Sequence, residues 1–259
     1  MSTWHAFYAG DLQSLWALLV APFAFLAYRG VRACAPSPRS VASDGGADVA
    51  RARAARFLSV YTVAWAVETM LDPIVGGPIV RALGWSDGFG ATAVMFAFVL
   101  LGDLRVLVLV LGLGASMRGE PASAWGPRAF GLVLVVPIAT GAIWGAARAL
   151  DPSLPGQGMW LVYELGFVAL ASVLARREVP RAAGGDARLA DFLRSCLGYV
   201  AAYYALWAAC DVVVLAGVDE GWALRIAPNQ LYYALWIPFV HARSRPLRSS
   251  YASSAAHAS

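Results

Sequence analysis

The chain has no lysine: all twenty of its basic residues are arginine. A retinal Schiff base needs a lysine amine and is therefore excluded. Histidine is nearly absent too. His5, His241 and His257 lie at or beyond the ends of the first and last apolar runs, so no imidazole cluster exists for haem, copper, di-iron or a catalytic zinc. Ser/His/Asp hydrolysis likewise has no histidine at the depth of the apolar runs. The cysteines, Cys34, Cys196 and Cys210, are odd in number and show no CxxC or Cys/His spacing; they read as small apolar side chains or unreactive thiols. No metal site and no cofactor are expected.

Charge is scarce as well. Only 14% of residues are charged, against 59% hydrophobic in a chain of 259, where a soluble domain has about a quarter charged. The composition is that of a membrane protein. Arginine without lysine, together with abundant Ala, Val and Gly, fits a GC-rich bacterial genome, hence a bacterial inner (cytoplasmic) membrane with the lipid bilayer as the chain's first partner. A net charge of +4 would invite a nucleic-acid reading in a soluble chain. Here the arginines fall in short gaps between apolar runs and report topology, so no nucleic-acid partner is expected.

Runs of about 20 apolar residues predict an all-α, seven-transmembrane-helix bundle, with spans near 12–28, 57–83, 91–113, 129–150, 158–175, 193–218 and 227–242. Residues 1–248 form one domain and 249–259 a disordered, Ser- and Ala-rich cytoplasmic tail. Sixteen arginines fall in gaps on one side, only Arg81, Arg148 and Arg225 on the other, and Arg105 inside a span. This positive-inside bias puts the N-terminus outside and the C-terminus in the cytoplasm. The first run is no secretory signal, because Arg29 and Arg32 follow it while residues 1–10 carry no arginine.

Five acids lie within spans, Glu68, Asp72, Asp103, Glu164 and Asp211. A charge at the bilayer centre costs about 2.5–3.5 kcal/mol on insertion scales, so such residues face protein or water. Glu68 and Asp72 are i and i+4 and share a helix face with Tyr61 and Trp65. Two carboxylates that close in low dielectric cannot both ionise cheaply; one is expected to keep its proton and serve as an acid. The alternative is that one of them pairs with Arg105 and pins two helices. Asp103 and Arg105, two residues apart, point away from each other, so Arg105 must find an acid on another helix.

The spans' directions put Asp72, Asp211 and Glu164 in the outer half with Asn229 and Gln230, and Glu68 and Asp103 nearer the middle, so the expected cavity opens outward. Asp72-Pro73 and Gly76-Gly77-Pro78 remove backbone donors there, and broken helices at membrane depth line cavities. Aromatic residues gather beside the acids: Trp65, Tyr204 and Trp207, Trp160 and Tyr163, and Tyr232, Tyr233 and Trp236. Rings near acids suit a cationic intermediate or an apolar ligand. Trp85, Trp125 and Trp222 read as interfacial anchors. Prenyl-diphosphate transfer in Asp-rich families would need two carboxylate clusters around Mg²⁺, and Glu68 with Asp72 supplies one.

In size, span count and the step from Trp65 to Glu68 in the second span, the chain resembles in architecture the small seven-helix membrane terpene cyclases of meroterpenoid pathways, with no contiguous motif shared. The resemblance implies intramembrane acids that protonate an alkene or epoxide without a cofactor.

The expectation is a bundle whose pocket binds, and as the sharper reading modifies, a lipid or isoprenoid-like small molecule. Glu68 or Asp72 would donate the proton and Asp211 and Glu164 would oppose it. Asp103, Arg105, Trp65, Trp207, Tyr204, Tyr163, Asn229, Gln230 and Tyr233 would bind. A proton-coupled transporter, and a receptor-like or structural subunit, stay open as alternatives. If the five acids are scattered toward lipid or split into separate pairs, the single-pocket idea is wrong.

Overall fold

The structure, a computed structural model, describes residues 2–10, 16–33, 46–85 and 88–248. Cys34 and the tail 249–259 lie outside the described residues. Among the described residues every element is helical. A short helix α1 (Thr3–Tyr8) precedes α2 (Val20–Ala33). Five helices then follow that are long and apolar enough to cross a membrane: α3 (Val49–Ala82), α4 (Phe89–Arg118), α5 (Ala122–Leu150), α6 (Gln157–Ala183) and α7 (Ala187–Leu215). The chain ends in four short helices, α8 (Glu220–Leu224), α9 (Ile226–Tyr232), α10 (Trp236–Arg243) and α11 (Arg245–Arg248).

The last predicted span, 227–242, therefore appears in two pieces, and the described part of the first, from residue 16, begins as a 3-10 turn over Trp16–Leu19 before α2; proline gives the reason. Pro22, Pro228 and Pro238 each occupy the third position of their helix, α2, α9 and α10. Proline has no N–H to give the carbonyl four residues back, and its ring crowds that carbonyl, so a continuous helix breaks just ahead of it. In α3, Pro73 and Pro78 widen the helix into a π-turn over Val75–Ile79 instead, and α4 carries another over Val108–Gly112.

Side-chain spacing on α3 shows how the bundle sits. Val60, Val63, Val67 and Leu71 are exposed, whereas Tyr61, Trp65, Glu68 and Asp72, on the opposite stripe, turn inward. Ile138, Phe130 and Ile143 are exposed on α5 in the same way. An apolar rim around a polar interior reverses the pattern of a soluble bundle.

Successive long helices run antiparallel, which gathers most of the described arginines at one end. There α6 hands over to α7 through Gly184 and Gly185, whose φ of +55° and +91° only glycine adopts without cost, and Asp186 caps α7 by accepting from the N–H groups of Arg188 and Leu189. Arg118 donates to the carbonyl of Ala182 at the C-terminal end of α6 (2.8 Å), and Arg128 and Arg181 both reach Glu178 (2.7 and 3.2 Å). Above this end lies an apolar layer of fully buried side chains that includes Leu58, Leu109, Leu113, Leu193 and Leu197.

Close packing depends on Gly114. A Cβ there would stand 2.1 Å from the backbone carbonyl of Ala182, whereas one at Gly126 on α5 meets nothing within 4 Å. Gly114→Ala should destabilise the protein by about 1–3 kcal/mol through overpacking, while Gly126→Ala should be neutral or stabilising by up to about 1 kcal/mol, as read from melting curves in detergent.

Candidate functional site

The break between α9 and α10 lies deep in the bundle and organises the first of two polar centres. It frees the Tyr232 carbonyl, and Arg105 of α4 donates to it (2.8 Å). The guanidinium lies 3.9 Å from the centre of the Tyr232 ring and 5.4 Å from that of Trp236, a cation over two π faces at a helix C-terminus. The Leu231 carbonyl, also at the break, accepts from Tyr199 (2.9 Å). Tyr61 donates to the Arg105 carbonyl (3.2 Å) and accepts from the Trp236 indole (2.8 Å). The expectation that Arg105 pairs with an acid on another helix is corrected: among the described residues it has no carboxylate within ion-pair distance. The freed carbonyl and two rings take that place, with Glu68 near enough to act on it through space.

Asp103, one residue before Leu104 and buried, receives two tyrosine hydroxyls, Tyr163 from α6 (2.5 Å) and Tyr204 from α7. Three helix faces, of α4, α6 and α7, thus meet at one carboxylate. Glu68 and Asp72 stand beside this group, half-buried. Tyr233 donates to Asp72 (2.8 Å). Gly102 makes room for the Tyr232 hydroxyl and Glu68, since a Cβ there would lie 1.6 Å from that hydroxyl and 3.6 Å from a Glu68 carboxyl oxygen. Trp207 donates to Asn229 (2.8 Å), which also accepts from Tyr8 of α1 (3.3 Å). Trp65 closes the group against Tyr61, and rings run on from Tyr163 through Phe167, Tyr204 and Trp207 to Tyr232.

Of the residues singled out in the sequence, this centre unites Glu68, Asp72, Asp103, Arg105, Trp65, Tyr163, Tyr204, Trp207, Asn229 and Tyr233. Gln230 lies beside it, half-buried, its carbonyl accepting from the N–H groups of Ala234 and Leu235.

Glu164 and Asp211 are elsewhere. They form a second centre with Arg225, which ion-pairs with Asp211 and lies 3.6 Å from Glu164; Gln157 donates to Asp211 (2.7 Å). All three charged groups are buried. The two acids are tied to Arg225 and do not face Glu68 and Asp72 across one space, so the acids form two groups. Arg225, read from the sequence as a loop arginine, is the residue that reading missed. Two signals pointed to it: Asp211 and Glu164 lacked a counter-charge, and Arg225 was isolated on the arginine-poor side.

A lid-like element was missed as well. Helix α1 crosses the arginine-poor end. Asp219 accepts from the Ser2 hydroxyl and the Trp4 N–H (3.1 Å), His5 stacks on Trp222 at 4.2 Å, and Tyr8 packs against the same indole. Trp222, expected as a membrane-interface anchor, is the seat of α1. Trp125 packs on Phe57 and over Gly112. Cys196 and Cys210 are free and buried.

Comparisons with family models, curated proteins and solved structures find no match for this chain.

The Ser2 hydroxyl and the first N–H groups of α1 hold the Asp219 carboxyl below its ordinary value, with His5 adding a favourable charge. A depressed carboxyl stabilises the docked α1 above the ordinary aspartate range, and that contribution is lost as pH falls through the lowered value. Amide hydrogen exchange of residues 3–8 should therefore accelerate as pH drops below about 4, after correction for the intrinsic rate. Asp219→Ala should exchange fast already at neutral pH.

Proposed function

We propose that the chain is a multi-pass protein of a bacterial inner membrane that crosses it seven times, N-terminus outside, the interrupted segments 12–28 and 227–242 completing the five long helices. The gathering of arginines at one end supports this orientation. Broken segments are tolerated in a bilayer where neighbours satisfy the freed carbonyls, as Arg105 and Tyr199 do.

Within it, the centre around Glu68, Asp72 and Asp103 binds a lipid or isoprenoid-like molecule and isomerises it by acid catalysis. The observation that carries this reading is a pair of half-buried carboxyls, Glu68 and Asp72, set against the hydroxyls of Tyr232 and Tyr233 and bordered by rings. Either carboxyl, in its acid form, gives its proton to an alkene carbon or epoxide oxygen of the ligand. The π pair forms the new C–H bond, or the C–O bond breaks, and a carbocation results. Facing rings steady that cation. An internal alkene closes the ring, and loss of a proton to the other carboxylate restores neutrality, so atoms and electrons balance with no redox partner. Asp103, held by two hydroxyl donors, positions Tyr163 and Tyr204 and does not donate. Proton-coupled transport is the weaker reading, because the apolar layer of Leu58, Leu109, Leu113, Leu193 and Leu197 stands between this centre and the arginine-rich end.

The test incubates the protein in nanodiscs with a polyprenyl chain and with its terminal epoxide, with products read by gas chromatography and mass spectrometry. Glu68→Gln and Asp72→Asn should each lower conversion by about 10²–10⁴-fold while melting as the wild type does. Conversion by neither substrate, or equal conversion by the variants, would count against acid catalysis at this pair.

A further inference from the structure

Next to the second centre is a cleft that the acid-catalysis reading does not use. A cleft of about 550 Å³ opens at the arginine-poor end, lined by His5, Trp144, Gln157, Trp160, Val214 and Trp222 among others. Three of its walls lead down, one or two helical turns along a single face, to a member of the buried cluster. On α6, Gln157 and Trp160 precede Glu164; on α7, Val214 and Leu215 lie one turn from Asp211; on α8, Trp222 is three residues from Arg225. Gln157 makes the link physical, since it lines the cleft and donates to Asp211 (2.7 Å).

With both carboxyls ionised the cluster would carry one negative charge in excess. Two carboxyls, Glu164 and Asp211, share one guanidinium. Arg225 holds Asp211 closely, while Glu164 is 3.6 Å away, 3% exposed, and one of its carboxyl oxygens has no hydrogen-bond partner among the described residues. A buried carboxylate without a full counter-charge is costly, and a ligand that brings a positive charge removes that cost. The walls suit the same ligand: the indoles of Trp144 and Trp160 line the mouth and can face a cation, while Trp222 is stacked by His5 and lies under Arg225. The volume fits a small organic molecule, and the open end faces away from the arginine-rich end.

We propose that this cleft is a binding site for an organic cation, a quaternary or protonated amine on an apolar body, whose charge is answered by Glu164 with Trp144 and Trp160 around it. The site is separate from the Glu68 and Asp72 centre and does not depend on turnover there.

Choline and its uncharged carbon isostere, 3,3-dimethylbutan-1-ol, discriminate the idea directly. Each is titrated into the full-length protein in a non-ionic sugar detergent, with binding followed by calorimetry and by tryptophan fluorescence. Choline should bind saturably and at least tenfold more tightly than the isostere. Glu164→Gln should weaken choline at least tenfold and leave the isostere unchanged. Trp144→Leu, at the half-buried wall and outside the ionic cluster, should weaken choline roughly fivefold, which keeps the test decisive if Glu164→Gln does not fold. Equal binding of the two probes, or choline binding that survives both substitutions, would overturn the proposal.

Discussion

A fully buried guanidinium at a broken helix is the feature on which the interior depends. Arg105 cannot sit in apolar surroundings unanswered, and the break between α9 and α10 cannot leave the Tyr232 carbonyl bare. One Nη of the guanidinium satisfies the carbonyl, while Nε has no hydrogen-bond partner among the described residues. Once Arg105 is fixed there, the rings of Tyr232 and Trp236 lie under its charge, Trp236 reaches Tyr61, and Tyr61 returns to the Arg105 carbonyl. The loop of contacts ties α3, α4, α9 and α10 together. It also presents Tyr232 and Tyr233 to Glu68 and Asp72, so the break that costs a regular helix is what builds the polar centre.

The same rule governs the second centre with a different solution. Arg225 pairs closely with Asp211 and lies 3.6 Å from Glu164, next to an aromatic cleft that Gln157 joins to Asp211. Between them the two centres divide the intramembrane acids by environment. Asp103 accepts from two tyrosine hydroxyls, Glu68 and Asp72 are half-buried, and Glu164 keeps an oxygen without a partner among the described residues. Helix α1 lies over both at the arginine-poor end, through Tyr8 at Asn229 and His5 at Trp222.

Much of this was legible in the sequence, for reasons that can be named. Tyr61, Trp65, Glu68 and Asp72 fall on one helical stripe, and the stripe does face inward, because charge and lipid are incompatible. The five long helices follow from apolar run length alone. The interruptions did not follow from run length: hydropathy averages across Pro22, Pro228 and Pro238, and only their missing N–H groups reveal the breaks. Partner choice was harder still. Spacing shows that Asp103 and Arg105 point apart, yet nothing local shows that tyrosines from α6 and α7 would claim Asp103, or that a backbone carbonyl would claim Arg105. Arg225 was hidden by the arginine count, where one isolated residue looks like a loop charge. Asn229, the chain's one asparagine, was singled out for its place at the start of a predicted span, and its Oδ1 accepts from both Trp207 and Tyr8.

The central claim is that the Glu68, Asp72 and Arg105 centre holds an apolar molecule, and native mass spectrometry with lipid extraction of the protein taken directly from its membrane tests it most directly. The account predicts one apolar small molecule bound per chain and lost from Gly102→Val, whose side chain would collide with the Tyr232 hydroxyl next to Glu68. A wild-type protein that folds normally and carries no such molecule, or one that Gly102→Val retains at equal occupancy, would contradict it.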